Sequence, residues 1–141
     1  MTPDQVRLVR ATWQQVVPIA DTAARLFYER LFVLEPEIRP LFAHTDLRQQ
    51  REQLLHVLSG VVATADRLHV LGPALKELGR RHAAYGIQDR YYDLGAVALL
   101  ATLEEGLGAA FTDEVRKAWT AAYTGVVSLM LAGAREGYQA A

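Results

Sequence analysis

Leu71-Gly72-Pro73-Ala74-Leu75-Lys76-Glu77-Leu78-Gly79-Arg80-Arg81-His82-Ala83-Ala84-Tyr85 decides the fold class of this chain. Leu71, Leu75, Leu78, His82 and Tyr85 fall at offsets of four, three, four and three, the spacing that lines one face of a helix. The pattern predicts a helix from about Val70 to Tyr85, stopped by Gly86, with His82 turned inward. Outward from this stretch the same period recurs in nearly every window, and no segment alternates cleanly enough for a half-buried strand. The chain reads as all-α.

Towards the N-terminus, a helix from Asp46 to about Asp66 carries Leu47, Gln50, Leu54, Leu58, Val61 and Val62 on one stripe, with Gln50 its only strongly polar member. Residues 43–47 read as a loop, and Pro36 and Pro40 break the chain into a short turn ending at Leu41-Phe42. The helix before that turn presents Ala24, Phe27, Tyr28, Leu31 and Phe32. Pro18 separates it from a first helix, in which Thr2 is the cap, Pro3 the first helical residue and Gln5 the closing member of a capping box, with Val6, Val9, Trp13 and Val16 facing in. Towards the C-terminus, one helix presents Val97, Leu100, Leu103 and Leu107. The last begins after Thr112 with Asp113 and Glu114 in its first turn and presents Val115, Trp119, Ala122, Val126 and Leu129.

Residues 1–141 read as one domain, long enough to bury roughly 70% of the surface the unfolded chain exposes. The absence of cysteine excludes disulfides, iron–sulfur clusters and thiolate ligation, so any metal site must draw on His, Asp, Glu or Met. Fifteen Lys and Arg against 16 Asp and Glu, interleaved in sign, give no field that would favour nucleic acid or an anionic membrane. The start of the chain lacks the basic segment and apolar core of a secretory signal, which predicts a cytoplasmic protein. The longest uncharged run, 17 residues between Lys117 and Arg135, is diluted by Thr120, Tyr123, Thr124, Gly125, Ser128 and Gly133 and reads as a buried helix, with no membrane span.

Of the four histidines only His82 faces inward by phase. His56 lies opposite Leu54 on its helix, and His44 and His69 fall in polar junctions. Periodicity leaves two readings of His82, a core imidazole satisfied by a neighbouring carbonyl or carboxylate, or a metal ligand. Other chemistries are not written in the chain: there is no HExxH, Gly-rich phosphate loop or GxSxG, and Glu104-Glu105 faces away from the apolar stripe as a solvated surface.

Four motifs in order add a resemblance. Phe27-Tyr28-Glu29-Arg30-Leu31-Phe32 with Pro36-Glu37 and Leu41-Phe42, then Leu78-Gly79-Arg80-Arg81-His82-Ala83-Ala84-Tyr85-Gly86-Ile87, Tyr91-Tyr92-Asp93-Leu94-Gly95 and Ala118-Trp119-Thr120-Ala121-Ala122-Tyr123 resemble the corresponding segments of bacterial flavohaemoglobins and their single-domain relatives. The resemblance spans nearly the whole chain. It implies a globin fold enclosing one haem, of the non-covalent b type because no CxxCH exists. It also implies His82 as the proximal iron ligand, Phe42 packed on the haem face, Leu78 and Tyr92 as further cofactor contacts, Tyr28 and Gln50 as a distal polar pair, and Leu54 as the apolar wall beside them. Periodicity alone allows Tyr28 to be a core tyrosine and Gln50 a surface amide with Gln49 beside it.

The function so implied is reversible binding or carriage of oxygen and other diatomic ligands, carbon monoxide and nitric oxide among them. The alternative is a nitric oxide dioxygenase or haem peroxidase served by a separate reductase, because these 141 residues hold no dinucleotide fingerprint or flavin domain. A cofactor-free interaction module is a third reading. One departure bears on the enzyme readings: the family's proximal glutamate aligns with Ala134, while Glu136, two residues on, lies on another helix face.

Overall fold

The computed structural model describes residues 1–140, with side chains through Glu136. Six α-helices, α1 (Pro3–Val16), α2 (Ala20–Leu34), α3 (Leu47–Ala63), α4 (Gly72–Ala84), α5 (Asp89–Leu107) and α6 (Asp113–Ala140), are joined by tighter 3-10 segments, and no strand occurs among the described residues. The capping box forms as the sequence predicts: Gln5 N–H donates to Thr2 Oγ1 at 3.1 Å, and Thr2 N–H donates to Gln5 Oε1 at 3.0 Å. Val6, Val9, Trp13 and Val16 are buried.

Two apolar clusters meet across α5. One gathers Val9, Trp13, Val61, Leu99, Leu103, Trp119 and Ala122 from α1, α3, α5 and α6. The other gathers Tyr28, Leu31, Ile38, Tyr91 and Ala98 from α2, the 3-10 segment Pro36–Phe42 and α5. Because α5 is packed on both sides, its apolar phase differs from the predicted stripe. Val97 is 54% exposed, whereas Leu99 and Ala98, which the stripe omitted, are buried.

Three other boundaries differ from the sequence expectation. α3 ends at Ala63 rather than Asp66: Thr64 closes it, its hydroxyl donating to Gly60 O at 2.8 Å, and Arg10 reaches over to donate to the carbonyls of Val62 and Ala63. Arg67, at φ −149° and ψ 50°, breaks the following Ala65–Leu71 segment. α4 therefore begins at Gly72 rather than Val70, with Pro73 in its first turn, where a missing N–H is harmless. At its other end Tyr85 is 65% exposed and not part of the inward stripe. The helix stops one residue earlier, and Gly86 at φ +96° sends the chain back, with Ile87 N–H donating to His82 O at 3.1 Å and Gly86 N–H to Ala83 O at 3.0 Å.

α4 is held by α6 at very short range. A Cβ built on Gly79 would collide with the carbonyl oxygen of Met130, and one on Gly133 with that of Lys76, so the two helices cross backbone against backbone. The Lys76–Glu136 ion pair, 3.0 Å, flanks the crossing. His82 sits one turn beyond Gly79, so the crossing determines where its imidazole lies. The uncharged run from Ala118 to Ala134 forms much of the inner face of α6, and no helix among the described residues is long and apolar enough to cross a membrane.

Candidate functional site

A cavity of about 160 Å³ lies between α2, α3, α4, α5 and α6 and adjoins a second of about 400 Å³ between α3, α4 and the turn carrying Phe42, which shares Phe42, Gln50, Gln53, Leu78, His82 and Ile87 with it and forms a mouth at the exposed His44, Thr45, Arg81 and Tyr85. Tyr28, Phe42, Gln50, Leu54, Leu78, His82 and Tyr92 all line the inner cavity, so five separate stretches of chain converge on one space.

On one side stand the distal candidates. Tyr28 is buried on α2 with its ring 6.0 Å from that of Phe42 and 5.0 Å edge-on from Phe27. Phe42 also packs edge-on against Phe32 at 5.7 Å, which anchors the turn against α2. From α3, Gln50 Nε2 donates to the Tyr28 hydroxyl oxygen at 3.2 Å. Burial pushes the Tyr28 phenol up to about 12, against the opposing pull of the Gln50 hydrogen bond and the Arg51 charge. Tyr28 therefore stays protonated at neutral pH, accepts from Gln50, and keeps its own O–H for whatever enters the cavity. Leu54, one turn after Gln50, supplies the apolar wall.

His82, on α4, lines the same cavity. Its Nδ1 is 2.9 Å from the carbonyl oxygen of Leu78, which can only accept, so Nδ1 carries the proton and Nε2 keeps a bare lone pair. Burial chiefly, with the Arg81 charge adding to it, lowers the imidazole from its ordinary range despite the Leu78 hydrogen bond. The carbonyl contact expected for a core imidazole is present, and a neutral imidazole satisfied at Nδ1 keeps Nε2 in the form a metal ligand requires. The Tyr92 ring lies near-parallel to the imidazole, centroids 6.5 Å apart at 24°. Its hydroxyl is pushed up to about 12 by burial, with the Asp89 charge adding to it.

The sequence reading missed Gln53, Ile87 and His44. Gln53 lines both cavity and mouth, and its position three residues after Gln50 is the same-face spacing that could have revealed it. Ile87 likewise lines both. Its signal was Gly86, after which an apolar residue commonly folds back on the helix end. His44, as expected, is exposed, but it borders the mouth together with Thr45 and Arg81. His56 and His69 are exposed, and Glu104 and Glu105 lie on the solvated face, Glu105 paired with Arg30.

Among the described residues no group of three or more His, Asp or Glu could hold a bare metal ion. One histidine in an apolar cavity with polar groups at its mouth suits instead a metal carried in a large apolar ring whose carboxylates face outward. Haem is that group, and the residues present fit it.

The globin family profile matches residues 25–130. The chain belongs to the globin family. It is 32% identical to the flavohemoprotein of Bordetella parapertussis over 143 aligned residues, covering 100% of this globin and 36% of that protein. It is 29% identical to the neuroglobin of Danio rerio, covering 89% of this globin and 87% of that one. The globin thus spans about a third of the length of the flavohemoproteins it matches. A crystal structure of a hexacoordinated heme protein from an anhydrobiotic tardigrade superposes with a TM-score of 0.84 at 18% identity, covering 96% of each chain, and so shares the fold. Family membership and these relatives support haem binding by the globin. Ala134 stands where the flavohaemoglobin resemblance would put a glutamate, and Glu136 is turned to Lys76.

Proposed function

We propose that this globin holds one b-type haem in the cavity with His82 Nε2 as the protein ligand to the iron, and that it reversibly binds oxygen and other diatomic gases on the side of Tyr28 and Gln50. The observation that carries the reading is the hydrogen bond of His82 Nδ1 to Leu78 O, 2.9 Å, which leaves Nε2 uncommitted in a cavity that Tyr28 and Gln50 also line. When bound, ferrous haem would supply an iron atom able to take up a small diatomic ligand. Phe42 and Leu54 would pack on its apolar surface, Leu78 and Tyr92 would hold the imidazole, and Arg81, His44 and Thr45, which border the mouth, could meet its carboxylates. Tyr28 donates to a polar ligand, an interaction worth roughly 1.5 to 3 kcal/mol when the acceptor gathers charge, and Gln50 keeps the phenol in place. The test is a reduced, haem-loaded sample cycled between oxygen and argon. Repeated interconversion of oxygenated and ligand-free spectra supports the reading, and immediate irreversible oxidation contradicts it.

A second reading, nitric oxide consumption, draws on the similarity to flavohemoproteins. Nitric oxide and oxygen need one electron to become nitrate, so continued turnover requires a reductase of the flavin class, and these 141 residues carry no dinucleotide fingerprint. The expected result is about one nitrate per haem with NADH alone and many once a flavin reductase is added. Many turnovers without it would make this chain an enzyme in its own right.

A further inference from the structure

We propose that Tyr123 is a positioning residue for the proximal histidine: its hydroxyl clamps the first turn of α5 and so holds the Tyr92 ring alongside the His82 imidazole. The inference rests on the reading of His82 as the iron ligand.

Tyr123, on α6, donates its O–H to the backbone carbonyl of Tyr92 at 2.6 Å. Its oxygen occupies space that exists only because residue 95 is glycine, since a Cβ there would collide with the Tyr123 hydroxyl. Burial raises the Tyr123 phenol well above the ordinary tyrosine range, so the proton it donates is retained. The bond ties α6 to α5 at the residue whose ring lies against His82, 6.5 Å between centroids.

The Tyr92 hydroxyl makes no hydrogen bond among the described residues, and the nearby acid Glu136 is engaged by Lys76 at 3.0 Å. The contact α5 offers the imidazole among the described residues is a near-parallel ring, 6.5 Å between centroids at 24°. His82 is tethered at Nδ1 by Leu78 O, but one hydrogen bond leaves the ring free to tilt about it. The Tyr92 ring removes that freedom, and Tyr123 fixes the backbone from which the ring projects.

The experiment is resonance Raman spectroscopy of the ferrous, ligand-free, haem-loaded globin, following the stretching band of the bond between iron and His82. Tyr123→Phe, Gly95→Ala and Tyr92→Leu should each broaden and shift the band, because the imidazole no longer has one orientation, while Tyr92→Phe should leave it unchanged. A role confined to stability would lower the melting temperature of Tyr123→Phe without altering the band. A folded, haem-loaded Tyr123→Phe with wild-type band position and width overturns the proposal, even if Gly95→Ala fails to fold. So does a Tyr92→Phe band displaced as far as that of Tyr92→Leu, which would assign the effect to the hydroxyl. A wild-type protein that binds haem but lacks the band altogether overturns the ligation by His82 itself, a failure distinct from both.

Discussion

Replacing Tyr28 with Phe removes one oxygen atom from the cavity and has two consequences that pull in opposite directions. The donor to a bound oxygen molecule is lost, at a cost of roughly 1.5 to 3 kcal/mol, or about tenfold to somewhat over a hundredfold in dissociation rate. At the same time Gln50 loses the acceptor it holds at 3.2 Å, so its amide is released and can turn to the ligand itself. A neutral amide recovers about 1 kcal/mol, which places Tyr28→Phe near the tenfold end. Gln50→Leu alone leaves the phenol in place and should raise the rate only a few-fold. The double substitution, with no compensating donor, should approach a hundredfold, so the two effects are more than additive. Gln49→Leu, at an exposed position, should be silent. The assay is stopped-flow displacement of oxygen by carbon monoxide, with carbon monoxide dissociation as a control that should barely change, because that ligand is much less polar when bound. Equal oxygen off-rates in the wild type and the double variant would refute the reasoning and leave Tyr28 a core tyrosine.

Gly79→Ala and Gly133→Ala each put a methyl group onto a carbonyl of the facing helix, so α4 must move away from α6. Each should cost about 1 to 3 kcal/mol in urea unfolding and speed transfer of haem to an apoprotein acceptor, whereas Gly108→Ala, with open space around it, should leave haem transfer unchanged despite its strained φ of +56°. A second expectation concerns pH in the haem-free globin. The folded-state pKa of His82 is lowered, so below the ordinary histidine value of about 6.5 the unfolded chain binds more protons. The stability tied to the neutral imidazole is present above that pH and is lost as pH falls through the folded value. His82→Leu should flatten this part of the stability profile, and an unaltered slope would mean that His82 is not held neutral by the fold.

The helix count and most inward stripes were legible because three- and four-residue spacing survives wherever a helix has one wet face, as in α1 and α3. It failed in α5. Between Leu94 and Leu103 nearly every residue is apolar, so the period carries no phase, and only the clusters on either side select Leu99 and Ala98 over Val97. Tyr85 continued the α4 period on paper, but the turn at Gly86 ends the helix first and gives the inward position to Ile87. The seven candidate residues all line one cavity: helical phase turned Tyr28, Gln50, Leu54, Leu78 and His82 inward, while Phe42 and Tyr92 were singled out by motif resemblance alone. Tyr123 was visible as a motif letter, yet its contact with the Tyr92 carbonyl across Gly95 depends on how α5 and α6 meet, which no local spacing encodes.

The central claim is that His82 Nε2 is the protein ligand to a haem iron, and the most direct measurement is the optical spectrum of the ferrous protein for wild type and His82→Ala, each without and with added imidazole. The account predicts a haem-loaded wild type with a histidine-ligated ferrous spectrum. It predicts a variant that retains less haem, with an altered ferrous band that imidazole restores by filling the space the side chain left. A His82→Ala protein with the wild-type ferrous spectrum and full haem retention in the absence of imidazole would contradict the assignment.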